Sequence, residues 1–422
     1  MNNSGLFIAF PQGEVEINIT KEDWVMNIHN FEQQGKGESN VFDSLAAGRL
    51  FTSHKIESGT KAPRIIAIGG GKGGVGKTIT SILLGISLAG MQKSTVIVDA
   101  DFAGANLHGY LNVTDPDMTI NYYFARQTRD LNEVAQGTAF PHLKIIPGMP
   151  GHLKSIQMKY WEKQKLLRNI RKLNADYVIL DLGPGTSFNN IDFFLNADDS
   201  VIISTPDPMS IYDAYGYIRA ALFRKLVRTF RHWPDFLHNL RDCGDITRGK
   251  DVKSIASCLD QQSDIPPSWR ALIQNSIRAL RPKVLLNMVR ENESPHELQA
   301  VRLRAKELLD IGVENWGAVR YDPWMRLAVK SRRIELLLDK GSVSLDDVNE
   351  VVKNQIIRHE EQIHRTPDGW VDEVAIQPTQ SAEMHFRICN YRCIAWDTCD
   401  ERDGGMPCRK LEPAPVTMSL AS

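Results

Sequence analysis

The densest chemistry in the chain is the run Gly71-Lys72-Gly73-Gly74-Val75-Gly76-Lys77-Thr78, which satisfies the spacing G-x-x-x-x-G-K-[ST]. Glycines at these intervals let successive backbone N–H groups turn inward on phosphate oxygens, and a helix that starts at the lysine adds its partial positive charge. Lys77 would neutralise β- and γ-phosphates, the Thr78 hydroxyl would ligate Mg²⁺, and the amides through Ile79 complete the expected nucleotide-binding set. Two acidic positions can join this loop. Asp181 closes the apolar run Tyr177-Val178-Ile179-Leu180 and fits a carboxylate that holds Mg²⁺ through water. Asp99-Ala100-Asp101 closes Thr95-Val96-Ile97-Val98, so a carboxylate there can reach a γ-phosphate and polarise a water, with Asp99 a further magnesium candidate.

Two other constellations could carry chemistry. Cys389, Cys393, Cys399 and Cys408, with His385 just before them, have the spacing C-x3-C-x5-C-x8-C. Four thiolates so close together suffice for tetrahedral Zn²⁺ or for an iron–sulfur cluster, and the spacing matches neither the paired zinc-ribbon knuckle nor a ferredoxin run. Cys243 and Cys258 read as ordinary buried or half-buried residues. In the stretch 220–231, apolar residues at helical spacing leave Arg224, Lys225, Arg228 and Arg231 on the other face. Such a helix either covers a sheet or lies on an anionic membrane or an acidic partner.

The elements that must position these residues are legible as short apolar runs at 64–68, 95–99, 143–146, 177–181, 200–204 and 283–287, interleaved with helical stretches such as Thr78–Ala89. This alternation predicts an α/β fold, a doubly wound and mostly parallel sheet of the P-loop NTPase kind, with a helical insertion and a Cys-rich C-terminal tail. The division expected is an N-terminal appendage and linker over 1–60, an ATPase-like domain over 61–344 with its insertion at 231–282, a C-terminal helix and linker over 345–380, and the Cys-rich tail over 381–422. Within the appendage, Leu6–Phe10 and Glu14–Thr20 can pair as a hairpin across Pro11-Gln12-Gly13, and 42–50 reads as a short helix.

Composition bounds the rest. The chain has 422 residues, 42% of them apolar, and 50 Lys+Arg against 51 Asp+Glu give a formal charge of −1. That balance excludes wholesale disorder and argues against a protein that coats nucleic acid. No run approaches the apolar length of a membrane span, the N-terminus lacks a signal-peptide pattern, and six cysteines are too sparse for a disulfide scaffold. A reducing, cytoplasmic setting is expected.

The loop with its second lysine, together with Val98-Asp99-Ala100-Asp101, Ala105-Asn106-Leu107 and Asp181-Leu182-Gly183-Pro184-Gly185, resembles the MinD/ParA family of ATPases, within a class that includes Mrp-type iron–sulfur carriers. The likeness covers about residues 62–340. It implies that Lys72 reaches the partner's nucleotide across an ATP-dependent homodimer, and that Asp101 positions the attacking water beside Lys77. Ser204-Thr205-Pro206-Asp207-Pro208 through Tyr215, Arg281–Asn287 and Gly317–Asp322 are similar to the FlhG-like (FleN) branch, which controls flagellar number and placement. By that resemblance Asn287 contacts adenine, an amide being able both to donate and to accept. The implied protein is a slow, Mg²⁺-dependent ATPase switch whose hydrolysis a protein partner stimulates. It would position a flagellar or other polar assembly and could touch the inner membrane face or cell pole peripherally. Nucleic acid is not expected as a partner. Two alternatives stand beside it: a cluster carrier or maturation ATPase using the tail cysteines, and a ParA-like cargo positioner that rides on DNA.

Overall fold

The computed structural model describes residues 62–358, apart from 103, 114–117, 149–157, 159, 231–233, 263–264, 266, 292, 294–295 and 340. It also gives a separate antiparallel hairpin of β1 (Leu6–Phe10) and β2 (Gly13–Ile17). The tail cysteines, His385 and the helix expected at 42–50 lie outside the described residues.

The main chain then runs β3 (Arg64–Gly69), α1 (Lys77–Gly90), β4 (Thr95–Ala100), α2 (Leu107–Tyr110), α3 (Ile120–Phe124), β5 (Gln136–Gly137), β6 (Leu143–Ile146), α4 (Tyr160–Ile170), β7 (Tyr177–Leu182), α5 (Phe188–Leu195), β8 (Asp199–Ser204) and α6 (Pro208–Thr229). After these come α7 (Pro234–Leu240), a 3₁₀ turn at Ile246–Asp251, α8 (Ile255–Asp260), α9 (Pro267–Arg278), β9 (Lys283–Val289), α10 (His296–Leu309), β10 (Glu314–Arg320), α11 (Pro323–Ser331), α12 (Leu336–Asp339) and α13 (Val343–Val351), which ends in a π-helical turn at Val352–Ile357.

Eight strands form one sheet in the order β10-β9-β8-β3-β7-β4-β6-β5, parallel except for β5. The central strands are apolar on both faces because both faces are covered. Alternate residues of β3 enter opposite layers: Ile65 and Ala67 pack with α4, α5, α6, α9 and α10, whereas Ile66 and Ile68 pack with α1 and α13. All six strands expected from the apolar runs are present. β10 was not expected as a strand. Its sequence, Glu-Asn-Trp-Gly-Ala-Val-Arg, sits at the sheet edge, pairs with β9 through two register shifts, and buries chiefly Trp316 and Val319.

Two expectations are corrected by the packing. Arg224 and Arg228 do not lie on a free face: they turn inward from α6 to the fully buried Asp192 of α5, which Lys163 of α4 also contacts at 2.6 Å, while Arg231 lies outside the described residues. Arg224 also stacks on Phe188 at 4.4 Å. Burial alone would raise the Asp192 carboxyl, but the Arg224 hydrogen bond and the surrounding cations pull it down to about 2. Cys243 and Cys258 are not unremarkable buried thiols either; they are joined by a disulfide. They lie fifteen positions apart in the sequence, and only the turn after α7 brings Cys243 beside α8.

Candidate nucleotide site

The carboxyl ends of β3, β7 and β4 lie side by side, the position where open α/β sheets bind ligands. Register sets the acidic groups against each other, because Asp181 pairs with Ile68 of β3 and with Asp99 of β4. Asp99 and Asp181 are both almost wholly buried. Burial and the neighbouring Asp181 push the Asp99 carboxyl up to about 8, against hydrogen bonds donated by the Leu107 and Asp101 amides at 3.2 and 3.3 Å. Burial likewise lifts Asp181 to about 6, although the hydroxyls of Thr78 and Ser81 donate to it, Ser81 at 3.0 Å. Burial makes both carboxyls costly to ionise, and a cation beside them would lower that cost. A hydroxyl with carboxylates is the donor set a hard cation such as Mg²⁺ takes.

The loop over 70–76 connects β3 to α1, whose first residue is Lys77. Gly76 caps the helix in the left-handed region at φ 93°, with no side-chain cap and no acid in the first turn. A Cβ there would fall 2.2 Å from Asn287 Nδ2, so both conformation and space demand glycine. The α1 amides are therefore left to an outside acceptor, which suits an anion. Lys77 is 7% exposed and its Nζ donates to the Lys72 carbonyl at 3.2 Å. Burial lowers its pKa, while Asp181 and Asp101 act to raise it. Lys72 is exposed, with Asp213 of α6 as an electrostatic neighbour.

Asp101 lies just past β4 and accepts from the Gly104 amide at 2.9 Å. It faces the turn after β7 closely: a Cβ on Gly183 would lie 2.8 Å from Asp101 Oδ1. That turn is held by Asn190 of α5, whose Nδ2 donates to the carbonyls of Gly183, Pro184 and Gly185 at 2.9, 3.1 and 3.2 Å. The Gly185 amide donates in turn to Gly70, tying the two loops together. Sequence reasoning missed Asn190, which stands in the first turn of α5, where the Ser187 side chain accepts from its amide.

The structure thus brings Lys77, Thr78, Asp99, Asp101 and Asp181 to one crevice. Asn287, expected at adenine, is buried at the end of β9 and donates from Nδ2 to the Val75 carbonyl at 2.9 Å, so its amino group serves the phosphate loop itself. Beside it, Met288 is partly exposed and Arg290 lies 5.4 Å over the Tyr321 ring. Among the described residues no group of three or more His, Cys, Asp or Glu side chains is arranged to hold a metal by itself, and no helix is long and apolar enough to cross a membrane.

A family model described as ParA, NUBPL iron-transfer P-loop NTPase, matches residues 61–226. Antiactivator FleN of Pseudomonas aeruginosa is 27% identical over 159 residues, covering 37% of this chain and 55% of FleN. The septum site-determining protein MinD of Buchnera aphidicola is 28% identical over 162 residues, covering 36% of this chain and 56% of that protein. The chain spans about half the length of the curated relatives it matches. Among solved structures, MinD of Pyrococcus horikoshii complexed with Mg-ADP aligns with a TM-score of 0.48 at 16% identity, over 71% of this chain and 98% of that one. Over residues 61–226, the segment that carries the phosphate loop and the two acidic strand ends, the chain is similar to ParA/MinD-type P-loop NTPases.

Proposed function

We propose that the chain binds and slowly hydrolyses ATP as a dimeric, partner-stimulated switch of MinD/ParA type, and that this switch positions a flagellar or other polar assembly. The observation that carries the reading is the convergence of Lys77 and the desolvated Asp99–Asp181 pair beneath a glycine loop whose amides open onto the strand ends. Thr78 directly, and Asp181 and Asp99 through water, would hold Mg²⁺, which when bound supplies charge neutralisation to the β- and γ-phosphates. The amides from Gly71 to Ile79 cradle the phosphates, and Lys77 balances their charge from below. Asp101, braced by the Gly104 amide and by the Asn190-held turn, orients the attacking water. Lys72 completes the site of the opposite protomer, which makes ATP the link between two copies. Asn287 reaches adenine through its carbonyl oxygen, since its amino group is used on Val75. A flagellar role is supported by the similarity to an antiactivator named FleN, and a peripheral site at the membrane or pole follows from the same reading.

Size-exclusion chromatography with light scattering tests the switch. Asp101→Ala with ATP and Mg²⁺ should accumulate as a dimer while wild type returns to monomer as ATP is consumed. A variant that binds ATP and stays monomeric removes the dimeric switch.

A second reading has its own support, because the matching family model is described as an iron-transfer NTPase and four cysteines crowd the tail. Metal and sulfide analysis of anaerobically purified protein separates the two. Iron with acid-labile sulfide that vanishes in Cys389→Ser, Cys393→Ser would favour a cluster carrier. Zinc, or neither, would leave the positional switch.

A further inference from the structure

The insertion carries a thiol pair that the nucleotide reading leaves unused. Cys243 and Cys258 form a disulfide, and both line a cleft of about 340 Å³ together with Asn239, Asp242, Arg248 and Lys253. The two cysteines are otherwise shielded, with Cys243 wholly buried and Cys258 6% exposed, so the cleft is their route to a reagent. The Gly244 amide donates to the Lys253 carbonyl at 2.7 Å beside a Cys243–Lys253 bridge, so covalent and hydrogen bonds hold the same corner.

That corner is fastened to α6. Tyr215 donates its hydroxyl to the Gly244 carbonyl at 2.7 Å, and Arg219 donates to the carbonyls of Cys243 and Arg241 at 3.1 and 2.8 Å. Gly244 has φ 68°, and a Cβ on it would lie 2.3 Å from Leu309 Cδ2 and 3.1 Å from the Tyr215 hydroxyl, so the turn cannot slide without moving one of them. Two residues before Tyr215, the same helix bears on the phosphate loop: a Cβ on Gly71 would lie 2.7 Å from the Asp213 carbonyl oxygen. An unbroken line of contacts therefore runs from the disulfide through one helix to the loop.

We propose that Cys243–Cys258 is a reversible thiol–disulfide exchange site whose state sets the order of the phosphate loop through α6. The co-reactant is a small dithiol of a size to enter the cleft. One of its thiolates attacks Cys258 Sγ, the Cys243–Cys258 bond breaks, and Cys243 leaves as a thiolate that takes up a proton. The second thiolate of the dithiol then attacks its own sulfur in the mixed disulfide and releases Cys258. Two electrons pass to the protein, and the dithiol becomes a cyclic disulfide. Lys253, whose Nζ donates to the Gln261 side-chain oxygen, lines the same cleft. The consequence for nucleotide binding rests on the proposed ATPase reading, whereas the coupling to the loop does not.

The test uses the full chain without nucleotide, equilibrated in dithiothreitol mixtures of increasing reducing power. Differential alkylation followed by peptide mass spectrometry should show Cys243 and Cys258 blocked when oxidised and labelled together on reduction. Hydrogen exchange over 69–78 and 208–219 should rise several-fold in the reduced protein. Cys258→Ser should show the faster pattern in both conditions. Tyr215→Phe should keep the disulfide while its loop loses the redox response. Cysteines that label freely without reductant, equal exchange in the two states, or a redox response that survives in Cys258→Ser would each overturn the proposal. Binding of a fluorescent ATP analogue is read in parallel: its failure in every state would sink the ATPase reading and leave the exchange test standing.

Discussion

The charge state of Asp99 offers the sharpest quantitative test of the site. Its carboxyl sits near 8 in the fold against an ordinary value of 3.8. A raised carboxylate stabilises the fold fully below its unfolded pKa, and that contribution is lost as pH climbs towards the folded value. Each pH step between the two removes about 1.4 kcal/mol. From pH 5 to pH 8 the loss from this one group is then about 3.5 kcal/mol, with the last step blunted because titration is half complete. Asp99→Asn removes the titration. It also weakens one of the two hydrogen bonds accepted from Asp101 and Leu107, at about 1 kcal/mol and with little dependence on pH. Urea unfolding of nucleotide-free, Mg²⁺-free protein should therefore show the variant slightly less stable than wild type below about pH 4 and about 4 kcal/mol more stable at pH 8. Parallel pH profiles for the two proteins, differing by a constant offset, would refute the claim that Asp99 is held in a desolvated site against Asp181.

Three other outcomes are expected. Gly183→Ala puts a methyl within 2.8 Å of Asp101 Oδ1 and should lower ATP turnover by on the order of 100-fold through misplacement of that carboxylate. Affinity for ATP should change little, and Gly109→Ala, where a Cβ meets nothing within 4 Å, serves as the control in the same steady-state assay. Asn190→Ala leaves three carbonyls of the 183–185 turn without their donor and should cost about 1–3 kcal/mol by urea midpoint, with faster hydrogen exchange in that turn. Asp192→Asn leaves Lys163, Arg224 and Arg228 without their shared anion and should destabilise by about 3–5 kcal/mol at neutral pH. Because the Asp192 carboxyl is held near 2, its contribution is present above about pH 4 and lost as pH falls towards 2, so the gap between wild type and variant should narrow in acid.

Much of the nucleotide crevice was legible along the chain because its parts are local. A buried strand, a glycine run and a helix start are contiguous from Arg64 to Gly90, and the spacing that lets amides face a phosphate is a property of that segment alone. Asp99 and Asp181 were recognisable as strand ends because each closes a four-residue run, Thr95–Val98 and Tyr177–Leu180. Their environment was not, because which strand lies beside which is decided by crossovers: burial in the sheet lifts both carboxyls, and the β4–β7 register sets Asp181 against Asp99 and lifts Asp99 further. Asn287 carried an amide whose chemistry could be named in advance, yet its partner, Val75, lies 212 residues away. β10 escaped notice because an irregular edge strand with one glycine at φ 111° has no clean alternation. The cations of α6 read as a solvent or membrane face until α5 supplied Asp192, a counter-charge 32 residues distant from Arg224. The Cys243–Cys258 pair carries no spacing signal at all. Periodicity and motif belong to neighbours in sequence, whereas charge compensation, close approach and disulfide pairing depend on distances that exist only once the sheet has closed around its helices.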